Sequence, residues 1–105
     1  MTKLFNELEK GDTFYVLDVD ELEVEEYIFV ESYFYGKTFL IILTTKRRFK
    51  IKIDPLTVGK TEIKTKDNYF YLFTSKKDAL AKRKELIWEK IGKLKKEIQK
   101  LQEKL

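Results

Sequence analysis

The sequence predicts an α+β fold: a small, partly open antiparallel β-barrel with a short N-terminal helix and a long C-terminal helix of coiled-coil type. Three observations lead there. Between residues 13 and 73, short β-branched and aromatic runs are separated by turn residues. From residue 74 onward there is no proline, and the apolar residues fall at helical spacing. A chain of 105 residues has room for one modest core. Residues 1–74 therefore read as the barrel domain and 75–105 as the helix.

Residues 2–10 read as a short helix that Thr2 caps, with Leu4, Phe5 and Leu8 on one face. Gly11 ends it, and Gly11-Asp12 turns the chain into a first strand over 13–18. A second strand is expected over 24–34. One alternation through it puts Val24, Ile28, Val30 and Phe34 on one face and Tyr27, Phe29, Glu31 and Tyr33 on the other. Gly36-Lys37 marks a hairpin turn. Residues 38–45 are apolar on both faces, as a central strand requires. Residues 46–54 alternate, with Arg47, Phe49, Ile51 and Ile53 on one side and Lys46, Arg48, Lys50 and Lys52 on the other. That is a half-buried strand with a cationic outer face. Asp54-Pro55 breaks it, and residues 56–60 loop through Gly59. Two shorter strands follow at 61–65 and 69–73, joined near Asp67-Asn68. Successive strands with short turns form an antiparallel meander that curls into an open barrel.

Ser75 followed by Asp78 approximates a capping box at the start of the long helix. Its one interior glycine, Gly92, costs about 1 kcal/mol relative to alanine. Ile87, Ile91, Leu94, Ile98, Leu101 and Leu105 are spaced alternately four and three apart, a heptad seam over 87–105. Ile91, Ile98 and Leu105 take position a; Ile87, Leu94 and Leu101 take position d; Trp88 lies beside the seam at e. Isoleucine at a with leucine at d favours a parallel pair. That pair would set Lys90 at g against Lys95 at e, whereas an antiparallel pair brings Glu97 near Lys90. Upstream, Ala79, Leu80, Leu86 and Ile87 suit packing on the barrel. A second copy, the chain's own barrel and a groove on another protein are all occupants the seam accepts.

Charge narrows the partners. Residues 1–35 hold two lysines against ten acidic residues, whereas 36–74 hold nine cations against three anions and 75–105 eleven against five. Charged residues make up 38% of the chain, well above the roughly 25% of ordinary globular proteins, as a projecting helix would produce. Cysteine and histidine are both absent, which removes disulfides, thiolate metal sites, the commonest general base and the Ser-His and Cys-His nucleophile pairs. The reading is therefore non-enzymatic, with no cofactor and no metal. No apolar signal core opens the chain, and the longest apolar run, 39–43, is too short to span a membrane. The expected compartment is the cytoplasm.

Two surfaces follow. The basic one comprises Lys46, Arg48, Lys50 and Lys52, extended by Lys64 and Lys66, with Tyr33, Tyr35, Tyr69 and Tyr71 as stacking rings if exposed. The acidic one comprises Asp18, Asp20, Glu21, Glu23, Glu25 and Glu26. It suits a solvated edge, a face that docks a basic surface or imitates nucleic-acid phosphate, or a hard-cation site, although it lacks the ordered Asp-x-Asp-x-Asp-Gly loop. Asp54, Glu62 and Lys64 resemble the Pro-Asp…(Asp/Glu)-x-Lys pattern of metal-dependent nucleases. The reversed Asp54-Pro55 order and the short spacing count against it.

Leu8-Glu9-Lys10-Gly11-Asp12-Thr13-Phe14-Tyr15-Val16 resembles the opening of SH3-like small barrels, where a Leu-x-x-Gly-Asp turn leads into the first strand. A barrel followed by Phe73-Thr74-Ser75-Lys76-Lys77-Asp78-Ala79 and a helix also looks like small proteins of phages and mobile elements. That resemblance implies an inhibitor of a host nuclease or defence complex, of the anti-CRISPR type. The leading expectation is a homodimeric binding protein that recognises a charged protein or nucleoprotein. The alternatives are a nucleic-acid-binding module using residues 46–52 and, behind it, the nuclease.

Overall fold

A computed structural model describes residues 2–65 and 69–105. Six strands build one antiparallel sheet: β1 (Thr13–Asp18), β2 (Val24–Tyr35), β3 (Phe39–Thr44), β4 (Arg48–Lys52), β5 (Glu62–Lys64) and β6 (Phe70–Phe73). Their order is β4-β3-β2-β1-β6-β5. The meander thus holds for the first four strands, after which β6 returns to pair with β1 and carries β5 on its far side. The sheet is open, with β4 and β5 at its edges. The link expected near Asp67-Asn68 lies outside the described residues, as does Lys66.

The helix expected over 2–10 is only a 3₁₀ turn, Phe5–Glu7. Side chains here compete for the backbone donors that a helix would use. The Glu7 carboxylate accepts from the Leu4 N–H at 2.9 Å, so Leu4 rather than Thr2 stands at the start of the turn. Asp12 accepts from the Glu9 N–H at 2.9 Å, and Gly11, at φ +97°, reverses the chain. Phe5 stays buried, and its N–H donates to the Lys60 carbonyl at 2.9 Å. Lys60 follows a second 3₁₀ turn, Pro55–Gly59, capped by Asp54, whose Oδ1 accepts from the Leu56 N–H at 3.1 Å. Phe5, Leu8 and Val58 from these segments pack on the inner face of the sheet.

That inner face is aromatic at its centre. Phe14 is fully buried, and its ring meets those of Phe5, Tyr27, Phe29 and Phe49 at centroid distances of 6.5, 5.9, 6.5 and 6.3 Å. Such pairs add about 0.5–1.5 kcal/mol each beyond the area they bury.

Strand β2 changes face partway along. Its register against β3 shifts between Phe29 and Glu31, which makes Val30 a β-bulge. Before the bulge Tyr27 and Phe29 are buried while Ile28 is 43% exposed. After it, Ser32 and Phe34 pair with Ile42 and Leu40 on the core side, and Tyr33 and Tyr35 point out. The single alternation expected through 24–34 therefore fails past Val30. Side chains repeat every two residues, so one extra residue reverses all that follow.

The helix α1 (Lys76–Glu103) covers the outer face over β1 and β6. Ser75 caps it, its Oγ accepting from the Asp78 N–H at 3.4 Å. Leu17, Tyr71, Phe73 and Ala79 form a second buried cluster, with Leu86 packed against it. Ala79 is fully buried, its methyl small enough to let the helix lie close to the sheet. Arg83 Nε donates to the Leu22 carbonyl at 2.7 Å and ties the helix to the β1–β2 turn. Past Ile91 the helix leaves the sheet. The molecule measures 58 × 29 × 24 Å, with a radius of gyration of 16.6 Å. A compact chain of this length would have about 13 Å.

Candidate interaction surfaces

The first surface is the free half of α1. Ile87 and Ile91 are half-buried. Leu94, Ile98, Leu101 and Leu105 are 49, 54, 64 and 106% exposed, and Trp88 beside them is 61% exposed. The stripe that anchors the helix runs through Ala79, Lys82 and Leu86, its centre about 100° round the helix from that of the a and d positions. Anchoring and seam thus use different faces of one helix. The half of the helix past Ile91 does not fold back over the sheet, and Leu80, expected on the barrel, is 41% exposed at the edge of a shallow groove of about 360 Å³ with Tyr15, Val24 and Arg83. Burying each exposed leucine or isoleucine would contribute about 1.5–3 kcal/mol.

The second surface is the outer face of β2, β3 and β4, which α1 leaves open. Pairing sets three rows across it: Tyr35, Phe39 and Lys52; Tyr33, Ile41 and Lys50; Glu31, Leu43 and Arg48. Tyr35 is 65% and Tyr33 41% exposed, while Ile41 beneath them is buried. Lys50 Nζ lies 5.8 Å from the Tyr35 ring centroid and 5.5 Å from that of Phe39. Lys52 Nζ lies 5.9 Å from Phe39, and Arg48 donates to the Tyr33 hydroxyl at 3.4 Å. At exposed sites such cation–ring contacts are worth about 0.5–1 kcal/mol, weak enough for a ligand to displace.

Not all of the expected basic surface gathers there. Lys46 falls in the β3–β4 turn, because Thr44 Oγ1 accepts from the Arg47 and Lys46 N–H groups and ends the ladder. Lys64 sits on β5, the opposite edge of the sheet, with Nζ 5.4 Å from the Tyr71 ring. Tyr71 is buried under Lys64 and Lys82, so it is no stacking surface. Tyr69 is exposed but lies near the other edge. The ring that sequence reading missed is Phe39. Its register opposite Tyr35 and Lys52 was the signal, and the strand pairing had to be known first.

The acidic stretch is divided by structure. Asp18 Oδ1 accepts from the Asp20 and Glu21 N–H groups at 2.9 and 3.0 Å and so builds the turn, which Leu22 closes at φ 56°. Glu25 accepts from the Tyr27 hydroxyl, and burial together with that bond raises the Tyr27 pKa. Glu23 and Glu26 line the groove beside Leu80. Among the described residues no group of three or more histidine, cysteine, aspartate or glutamate side chains is placed to hold a metal ion. Asp54, of the nuclease-like set, spends one carboxylate oxygen as a helix cap. Among the described residues no helix is long and apolar enough to cross a membrane.

No protein family, curated protein or solved structure matches this chain.

Proposed function

We propose that the protein is a non-enzymatic binding protein that pairs with a second copy through α1 and presents its charged surfaces to a macromolecular partner. The single observation that carries this is the exposed seam: Leu94, Ile98 and Leu101 are each about half exposed or more on a helix that has left its own sheet. The stretch past Ile91 is about a dozen residues, a length that is marginal for a helix without an apolar contact, so a packed partner is a natural source of its stability. The coiled-coil character of α1 and an SH3-like curl of the sheet belong to this reading. The two helices run antiparallel. In a parallel pair Lys90 would lie against Lys95, and in an antiparallel one it lies against Glu97. The setting attached to this reading, through the resemblance to phage and mobile-element proteins, is inhibition of a host nuclease or defence complex.

Light scattering on the full chain tests the pairing. The wild type is expected at about twice 12.7 kDa, and a Leu94→Glu, Ile98→Glu variant at the monomer mass with its sheet intact by circular dichroism. Equal monomer masses for both end the self-association reading.

A further inference from the structure

We propose that the outer face of β2, β3 and β4 is a platform for single-stranded nucleic acid; this rests on the binding-protein reading and names one partner class for it. A strand face that serves only for solubility needs charge and nothing else. This one also carries Tyr33 and Tyr35, 41 and 65% exposed, with the Phe39 ring between Tyr35 and Lys52. The rings and the lysine stems form a roof over Ile41, which is 2% exposed, so the face is a packed surface rather than a set of loose side chains.

The cations supply the other half of the chemistry. Arg48, Lys50 and Lys52 stand on alternate positions of β4, about 6.7 Å apart, and Lys46 follows in the turn, whereas Arg47 turns to the other face over the Phe49 ring. Glu31 is the one acidic side chain in the three rows. A line of cations beside exposed rings matches a strand with phosphates along one side and bases along the other. The bases must be unpaired. In a duplex both faces of each base are already stacked, and the tyrosines would find nothing to stack on. An acidic protein surface would satisfy the cations and leave the rings without a role.

Fluorescence anisotropy with labelled oligo(dT) and oligo(U) of about 15 nucleotides, beside a duplex of the same length, tests this. Both single strands are expected to bind more tightly than the duplex. Three phosphate contacts give a slope near −2 in log affinity against log salt, at about −0.7 per contact. Tyr35→Ala should weaken single-strand binding about tenfold and leave duplex binding unchanged. Arg48→Glu with Lys50→Glu should weaken both. Tyr35 is exposed, so its variant keeps the fold, which far-UV circular dichroism checks. No binding of any oligonucleotide at low salt overturns the proposal, as does equal single-strand and duplex binding that ignores Tyr35→Ala. A dimer by light scattering that binds no oligonucleotide overturns this proposal alone and leaves the pairing intact; a monomer that binds single strands does the reverse.

Discussion

Asp12 holds the N-terminal segment to the start of β1. Its Oδ2 accepts from Lys3 Nζ and from the Glu9 N–H, at 2.8 and 2.9 Å. The Lys3 bond, then the Glu9 bond, lowers the Asp12 pKa below its ordinary value. A carboxylate with a depressed native pKa stabilises the fold fully above its unfolded value and loses that contribution as pH falls through the native one. The loss therefore falls below about pH 4. In urea titrations the wild type should lose part of its midpoint between pH 5 and pH 2, and Asp12→Ala should start lower at pH 5 and lose less. Equal losses in both chains would show that Asp12 takes no share. At this scale the local signals were readable. Gly11 as a turn, Asp54 before a proline and Ser75 as a cap all stand where short-range chemistry puts them. Asp12 reads in sequence as a turn residue; its bond to Lys3 spans nine positions and needed the folded chain.

Elements show the same division between near and far. The alternation of Arg48, Lys50 and Lys52 with Phe49 and Ile51 was legible because one parity is charged and the other apolar. The bulge in β2 was not, because Ile28, Val30 and Phe34 on one parity are as apolar as Tyr27, Phe29 and Tyr33 on the other. Nor did pattern place β6 against β1, since that pairing joins residues more than fifty positions apart. The helix was the most legible element: its cap and its apolar spacing are signals that lie within a turn or two of each other. Gly92 is its evident weak point. An added Cβ there meets nothing within 4 Å, and the site lies at b, off the seam. Gly92→Ala should raise the stability of the helix by about 1 kcal/mol and increase ellipticity at 222 nm. An unchanged melting curve would mean that the free half of α1 melts apart from the rest of the fold.

For the whole molecule, charge would select one way for two copies to meet along the proposed seam. Extending the heptads upstream places Leu80 at d and Lys84 at a. In an antiparallel pair each a faces a d. Setting Ile91 against Leu94 of the second copy brings Ile87 to Ile98, the stem of Lys84 to Leu101, and Leu105 to the exposed Leu80. On the flanks Lys90 meets Glu97 and Trp88 meets Lys95, each twice by symmetry. Sliding one heptad, so that Leu94 meets Ile98, keeps the apolar layers but sets Glu97 on Glu97, Lys95 on Lys95 and Lys90 on Lys104. The like pair left in the first register is Arg83 with Lys104, and the Arg83 guanidinium is already turned to the Leu22 carbonyl. Lys90→Glu separates the two directions. In a parallel pair the new glutamate meets Lys95 and tightens association. In the antiparallel pair it meets Glu97 and should raise the dimer dissociation constant about tenfold at low salt, with Lys90→Glu, Glu97→Lys restoring it. Because the chain has no cysteine, engineered thiols report geometry cleanly. Leu80→Cys mixed with Leu105→Cys should form a disulfide between copies, whereas Leu105→Cys alone should not, its two thiols standing about 37 Å apart along the helix pair. A ready Leu105→Cys homodisulfide, with tighter association of Lys90→Glu, would make the pair parallel and place both sheets at the same end.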